Sequence, residues 1–159
     1  KKKLRVVEYN NKVLTKKIAK QLLSDKSVNE AGGFTSIEDS AAESLSKHKG
    51  EVCLSGLTEL SDAAAKSFSK HKGMLWLGGL SELSDTTAES LSKHQGMLTL
   101  NGLTALSDAA VGFLSKHKGE LWLDGIVELS DTAAESLSKH KGMINDMDPK
   151  EWVESIDKC

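Results

Sequence analysis

The chain repeats itself every 23 residues, and few folds can satisfy that condition. The five histidines, His48, His71, His94, His117 and His140, are separated by equal steps. The same step carries Gly50 to Gly73, Gly96, Gly119 and Gly142, and Leu54 to Leu77, Leu100 and Leu123. It also relates Leu57, Leu80, Leu103 and Ile126. A fixed period of this size marks units that cannot bury an apolar face alone and bury it against the next copy. Stepped backwards the register persists: Leu60 returns Ile37 and then Leu14, Leu45 returns Leu22, Ala42 returns Ala19, and Leu57 returns Phe34. The first stretch is thus a diverged copy in which the histidine has become Asp25 and the glycine after it Ser27. Units begin near Leu14, Ile37, Leu60, Leu83, Leu106 and Leu129, about six in all.

Inside a unit the hydrophobic period changes. In "LSDAAAKSFSKHKG", Ala64, Ala65 and Phe68 fall on one side of a short helix. Ser61 or Asp62 caps its start, and the acidic residue suits the positive end of the helix dipole. Gly73 stands where a left-handed C-terminal cap is expected. The helix should run about ten residues, roughly 15 Å, and is too short to persist unsupported in water. In "MLWLGGL", Leu75 and Leu77 alternate with Met74, Trp76 and Gly78, the period of a short strand. Strand, turn, helix and turn in constant order predict parallel pairing between successive units.

Composition narrows the classes. At 159 residues the chain can bury one useful core, and its net charge of −2 supplies no global basic field for nucleic acid. No apolar run is long enough to span a bilayer, so no membrane partner is expected. The start, "KKKLRVVEYNNKVLTKK", is basic but lacks the apolar segment and cleavage site of an export signal. Cys53 and Cys159 do not make a disulfide framework, and a reduced, cytoplasmic setting is the default reading.

The recurring "SKHK" could be a row of metal ligands. Zinc–nitrogen bonds are about 2.0–2.1 Å, whereas residues on neighbouring helices inherit spacings of roughly 8–10 Å. No Cys, Asp or Glu accompanies the histidines at ligand spacing. They are read instead as helix terminators pointing outward, whose charge with that of Lys70 and Lys72 complements the last carbonyls. The lysines form a basic rim at one end of the helices, and Asp62, Asp85, Asp108 and Asp131 an acidic rim at the other. No metal, cofactor or catalytic constellation is expected, because the histidines are copies of one another and no serine–histidine–acid set or carboxylate pair stands apart.

At "LWLGGLSEL" and "LTLNGLTAL" the chain resembles the leucine-rich repeat family, and most of all its short bacterial repeats with a helix in each unit. The resemblance covers roughly residues 14–147. Where the family carries an asparagine that ties one turn to the next, this chain has Leu57, Leu80, Leu103 and Ile126. The resemblance implies an open right-handed α/β solenoid, with a parallel sheet on its concave side and short helices on its convex side. It also implies a non-catalytic, protein-binding role. Residues 1–13, including "LRVVEY", are expected to add an N-terminal strand or cap. Residues 148–159 are expected to form a capping helix, with Asp148 as its cap, Pro149 at its first position and Glu151 completing a capping box.

A site is sought on the strand residues that face away from the core. The central column reads Glu30, Cys53, Trp76, Thr99, Trp122 and Asn145. Met74, Met97 and Met143 lie to one side, and Gly78, Asn101 and Asp124 to the other. Two tryptophans and several methionines are not needed to stack the units, and such side chains on an open sheet mark interaction surfaces. Trp76, Thr99, Trp122, Met74, Met97, Asn101 and Asp124 are therefore the candidate partner-binding residues. Cys53 is read as a spectator thiol. Phe113 breaks a column otherwise made of Ser44, Ser67, Ser90 and Ser136, as an exposed contact or as filler for space opened by Gly112. Protein binding by a monomer or weakly self-associating chain is the leading expectation. The alternatives are a self-assembling structural protein and carbohydrate stacking on the tryptophan pair.

Overall fold

The structure, a computed structural model described over residues 12–158, is mixed α/β with parallel strands and repeated helix–strand units. The N-terminal segment "LRVVEY" lies outside the described residues. The chain opens with strand β1 (Val13–Leu14) and helix α1 (Lys16–Asp25), followed by a 3-10 helix (Val28–Gly33) and β2 (Ser36–Ile37). It continues through α2 (Asp39–Leu45), β3 (Val52–Cys53), α3 (Asp62–Phe68), β4 (Leu75–Trp76), α4 (Asp85–Leu91) and β5 (Leu98–Thr99). Then come α5 (Asp108–Leu114), β6 (Leu121–Trp122), β7 (Glu128–Leu129), α6 (Asp131–Leu137), α7 (Pro149–Ser155) and β8 (Asp157–Lys158).

Strands β3, β4, β5 and β6 pair in that order as a parallel sheet, each residue opposite the one 23 positions on: Cys53, Trp76, Thr99, Trp122. Leu54 N donates to Trp76 O and Leu77 N to Thr99 O, both at 2.9 Å, so pairing extends past the strand ends. The inward columns are wholly buried: Leu75, Leu98, Leu121 and Ile144 in one, Leu54, Leu77, Leu100 and Leu123 in the next. The column of Leu57, Leu80, Leu103 and Ile126, expected to replace an asparagine ladder by packing, is buried as well. Helices α2 to α6 each bury two smaller residues and one large one, such as Ala64, Ala65 and Phe68, and pack against the helices of neighbouring units. The small residues let the helices approach while the large one fills the unit's centre.

Helix starts follow the sequence closely. Ser61, Ser84, Ser107 and Ser130 accept bonds from Ala64, Thr87, Ala110 and Ala133 N at 3.0–3.1 Å. Those hydroxyls also contact the acidic residue of the previous unit. Ser61 donates to Asp39 at 2.5 Å, Ser130 to Asp108 at 2.5 Å, and Ser107 to Asp85. At Asp62 the stronger donor is Thr87 Oγ1, at 2.8 Å. The acidic rim is therefore a ladder of seams as well as a solvated face.

Helix ends do not follow the expectation. Helices α2 to α6 have seven residues, one turn shorter than expected, and stop before the "SKHKG" segment. A tighter turn follows, with His71 N bonding Phe68 O at 3.0 Å and His94 N bonding Leu91 O at 3.0 Å. The glycines after the histidines are not left-handed caps, for no described glycine has positive φ. Among the described residues the left-handed helix cap occurs only in the diverged first unit, at Lys26, φ 56°. The glycines answer a different need. A Cβ on Gly96 would lie 2.2 Å from Gly73 O, and one on Gly119 would lie 2.1 Å from Gly96 O. A second column, Gly56, Gly79, Gly102 and Gly125, meets main-chain oxygens of the preceding unit as closely. Two edges of the central units thus rest backbone on backbone.

At the C-terminal end Ile144 bridges Leu121 in parallel, and Asn145 and Asp146 turn the chain with φ of 49° and 62°. Asn145 Oδ1 accepts from Leu123 N at 2.6 Å, where another strand would otherwise supply a carbonyl. Helix α7 lays Trp152 and Val153 over the last unit against α6. Asp148 caps it through Lys150 N at 2.9 Å, one residue earlier than the expected capping box.

Candidate functional site

Alternation along each strand sends Cys53, Trp76, Thr99 and Trp122 to the side of the sheet opposite the leucines. Strands are about 4.7–4.9 Å apart, so the backbones that carry the two indoles stand about 10 Å apart with Thr99 between them. Trp76 and Trp122 are half-buried. Thr99, expected to be open, is only 3% exposed. The side chains of larger neighbours on either strand cover a short one between them, which explains the difference. Thr99 Oγ1 and both indole Nε1 atoms are enclosed and have no hydrogen-bond partner among the described residues. Each such group costs about 1–3 kcal/mol relative to a paired one.

The flanking residues divide. Met74 is 44% exposed and Met143 42%, whereas Met97 is half-buried. Asn101 and Asp124 pair across adjacent units, Asn101 Nδ2 donating to Asp124 Oδ2 at 2.6 Å and Asp124 N to Asn101 Oδ1 at 3.3 Å. They form a polar margin already engaged with itself. Cys53 is half-buried, with its thiol 3.4 Å from Ser55 Oγ.

The histidines are the main correction to the sequence reading. Four of the five point inward: His71, His94, His117 and His140 are between 0% and 6% exposed, while His48 is half-buried. Their rings stack in a column with centroids 5.6, 5.7 and 6.4 Å apart and nearly parallel planes. The tight turn after each shortened helix swings the side chain back across the seam toward carbonyls of the preceding unit. His117 Nε2 lies 2.9 Å from Gly96 O. His140 reaches two such oxygens, Ser115 O at 3.2 Å and Gly119 O at 3.1 Å. Burial holds the pKa of His94 down, to about 4, with the neighbouring His117 and His71 acting in the same direction. His71 and His117 are lowered too, desolvation again outweighing the nearby carbonyls. The rings of His71, His94 and His117 are therefore neutral near pH 7, while the hydrogen bonds across the seam come from His117 and His140.

The sequence also carries an alternation that the 23-residue step conceals. Trp76 and Trp122 occupy every second unit, and the intervening units carry Glu43, Glu89 and Glu135. Those glutamates make helix-surface ion pairs with Lys47, Lys93 and Lys139 at 3.1, 3.0 and 2.7 Å. No family model, curated protein or solved structure matches this chain. No helix among the described residues is long and apolar enough to cross a membrane.

Proposed function

We propose that the chain is a non-catalytic repeat scaffold, an open solenoid of the leucine-rich-repeat kind, that binds another protein through its sheet face. The observation that carries this reading is the Trp76–Thr99–Trp122 row, held in register on the side away from the leucine core. A rigid row of aromatics beside the exposed Met74 and Met143 combines large contact area with little side-chain entropy to lose. The unpaired indole N–H groups and the Thr99 hydroxyl would gain partners where a bound chain turns the rings. A cytoplasmic, cofactor-free setting completes the proposal.

The test is affinity capture from the native source with the parent chain and with the W76S/W122S variant side by side. A specific protein retained by the parent and lost by a variant of unchanged circular dichroism supports the reading. Equal retention by both would place recognition elsewhere. Sedimentation at two concentrations addresses self-assembly, which the exposed Met74 and Met143 also suit: a mass that rises with concentration and falls in the variant would favour that second reading.

A further inference from the structure

Departures from a near-identical repeat are informative where packing does not require them, and the largest pair lies on the helical side in α5. Phe113 replaces the serine of Ser44, Ser67, Ser90 and Ser136, and Gly112 stands where three other units have Glu43, Glu89 and Glu135. Gly112 serves no packing, and Phe113 packs only at the margin of the core. A Cβ on Gly112 would meet nothing within 4 Å, yet a glycine inside a helix costs about 1 kcal/mol relative to alanine. Phe113 sits half-buried at the surface, adding a ring where the other units present a small hydroxyl.

Gly112 and Phe113 together line one groove, while Phe113 also borders the next, beside Glu89. Between the ends of neighbouring helices the fold leaves open grooves rimmed by lysines, such as that of about 620 Å³ beside Glu43, Lys47 and Lys70. The groove between α5 and α6 is of similar size, about 680 Å³, but no carboxylate lines it and Phe113 does. In the glutamate-bearing units the lysine four residues on is ion-paired. With Gly112 at that position, Lys116 instead places its ammonium 5.6 Å from the centre of the Phe113 ring. Lys118 and Lys141 line the same groove and have no ion pair among the described residues. Lys139 adds a fourth ammonium, shared with Glu135.

We propose that this groove binds a small aromatic phosphate. The dianion would lie among Lys116, Lys118 and Lys141, drawn from two helix ends, and its flat apolar body would rest against Phe113. Lysines serve phosphate as point charges, and the volume falls within the range of small-ligand sites, about 300–1,000 Å³. The repeat itself supplies the control. G112E/F113S restores residues that other units carry at these positions, so the variant is expected to fold.

The test is calorimetric titration of the full chain at low ionic strength with phenyl phosphate and, separately, inorganic phosphate. The parent should prefer phenyl phosphate by about tenfold, the reach of one aromatic contact. G112E/F113S, with its circular dichroism unchanged, should bind the two equally and weakly. Equal binding of both anions by the parent, no binding at all, or a preference that survives in the variant would each overturn the proposal and leave the lysines as a general cationic rim.

Discussion

At the residue scale, two glycines and one histidine separate the forces that act on this chain. Gly96 is held by contact: its missing Cβ would sit 2.2 Å from Gly73 O, and a main-chain oxygen cannot swing aside. Gly96→Ala should cost about 2–3 kcal/mol in urea unfolding. Gly112 meets nothing, so Gly112→Ala should stabilise by about 0.5–1 kcal/mol in the same measurement. His94 links the seam to acidity. An unfolded imidazole titrates near 6.5, while burial lowers the folded value to about 4. Between those values the unfolded chain takes up the proton and the folded chain does not. Stability is therefore complete above about pH 6.5 and declines as the pH falls toward 4. At about 1.4 kcal/mol for each pH unit, His94 alone removes on the order of 3 kcal/mol. His71 and His117, lowered by the same cause, act in the same sense. Urea midpoints taken between pH 4 and 7 should show a shallower slope in His94→Gln than in the parent.

At the element scale the short helices depend on their first residue twice. Ser107 caps α5 through Ala110 N and contacts Asp85 in the unit before, so Ser107→Ala should cost about 1–2 kcal/mol. Asp85→Ala leaves the cap in place and should cost about 0.5–1 kcal/mol, read by the same unfolding curves. Strand positions, inward columns, helix starts and the buried column of Leu57, Leu80, Leu103 and Ile126 were legible in the sequence, because each follows from local periodicity or from a cap. The far end of each helix was not. A glycine after a helix suits a left-handed cap and a close approach of two main chains equally well, and only the neighbouring unit distinguishes them. The histidine direction was lost with it. Helical side chains turn about 100° per residue, so ending the helix before "SKHKG" turns an outward ring inward. The carbonyls it meets, such as Gly96 O for His117, belong to the preceding copy. The row of Trp76, Thr99 and Trp122 stands in the register read from the sequence, but the burial of Thr99 depends on neighbouring strands that a one-strand reading does not see.

At the scale of the whole molecule, strands pair only with their sequence neighbours in the stack, so an excised unit leaves two surfaces that already match. Deleting residues 83–105 joins Glu82 to Leu106 in register and sets Trp76 directly beside Trp122. The shortened chain should keep its circular dichroism shape and lose part of its stability to heat, while partner capture fails because the spacing of the aromatic row has halved. Collapse to an unfolded chain would mean that units are bound to particular neighbours. The glycine seams bear on this at another level. Main chain meeting main chain asks nothing of the incoming copy's decoration, so a duplicated gene segment can enter the row without any co-adapted surface. The number of coils is then free to drift, and with it the span over which tryptophan-bearing coils can be laid out. In such an architecture a lineage alters its exposed sheet face by adding or dropping whole units sooner than by reshaping any one of them.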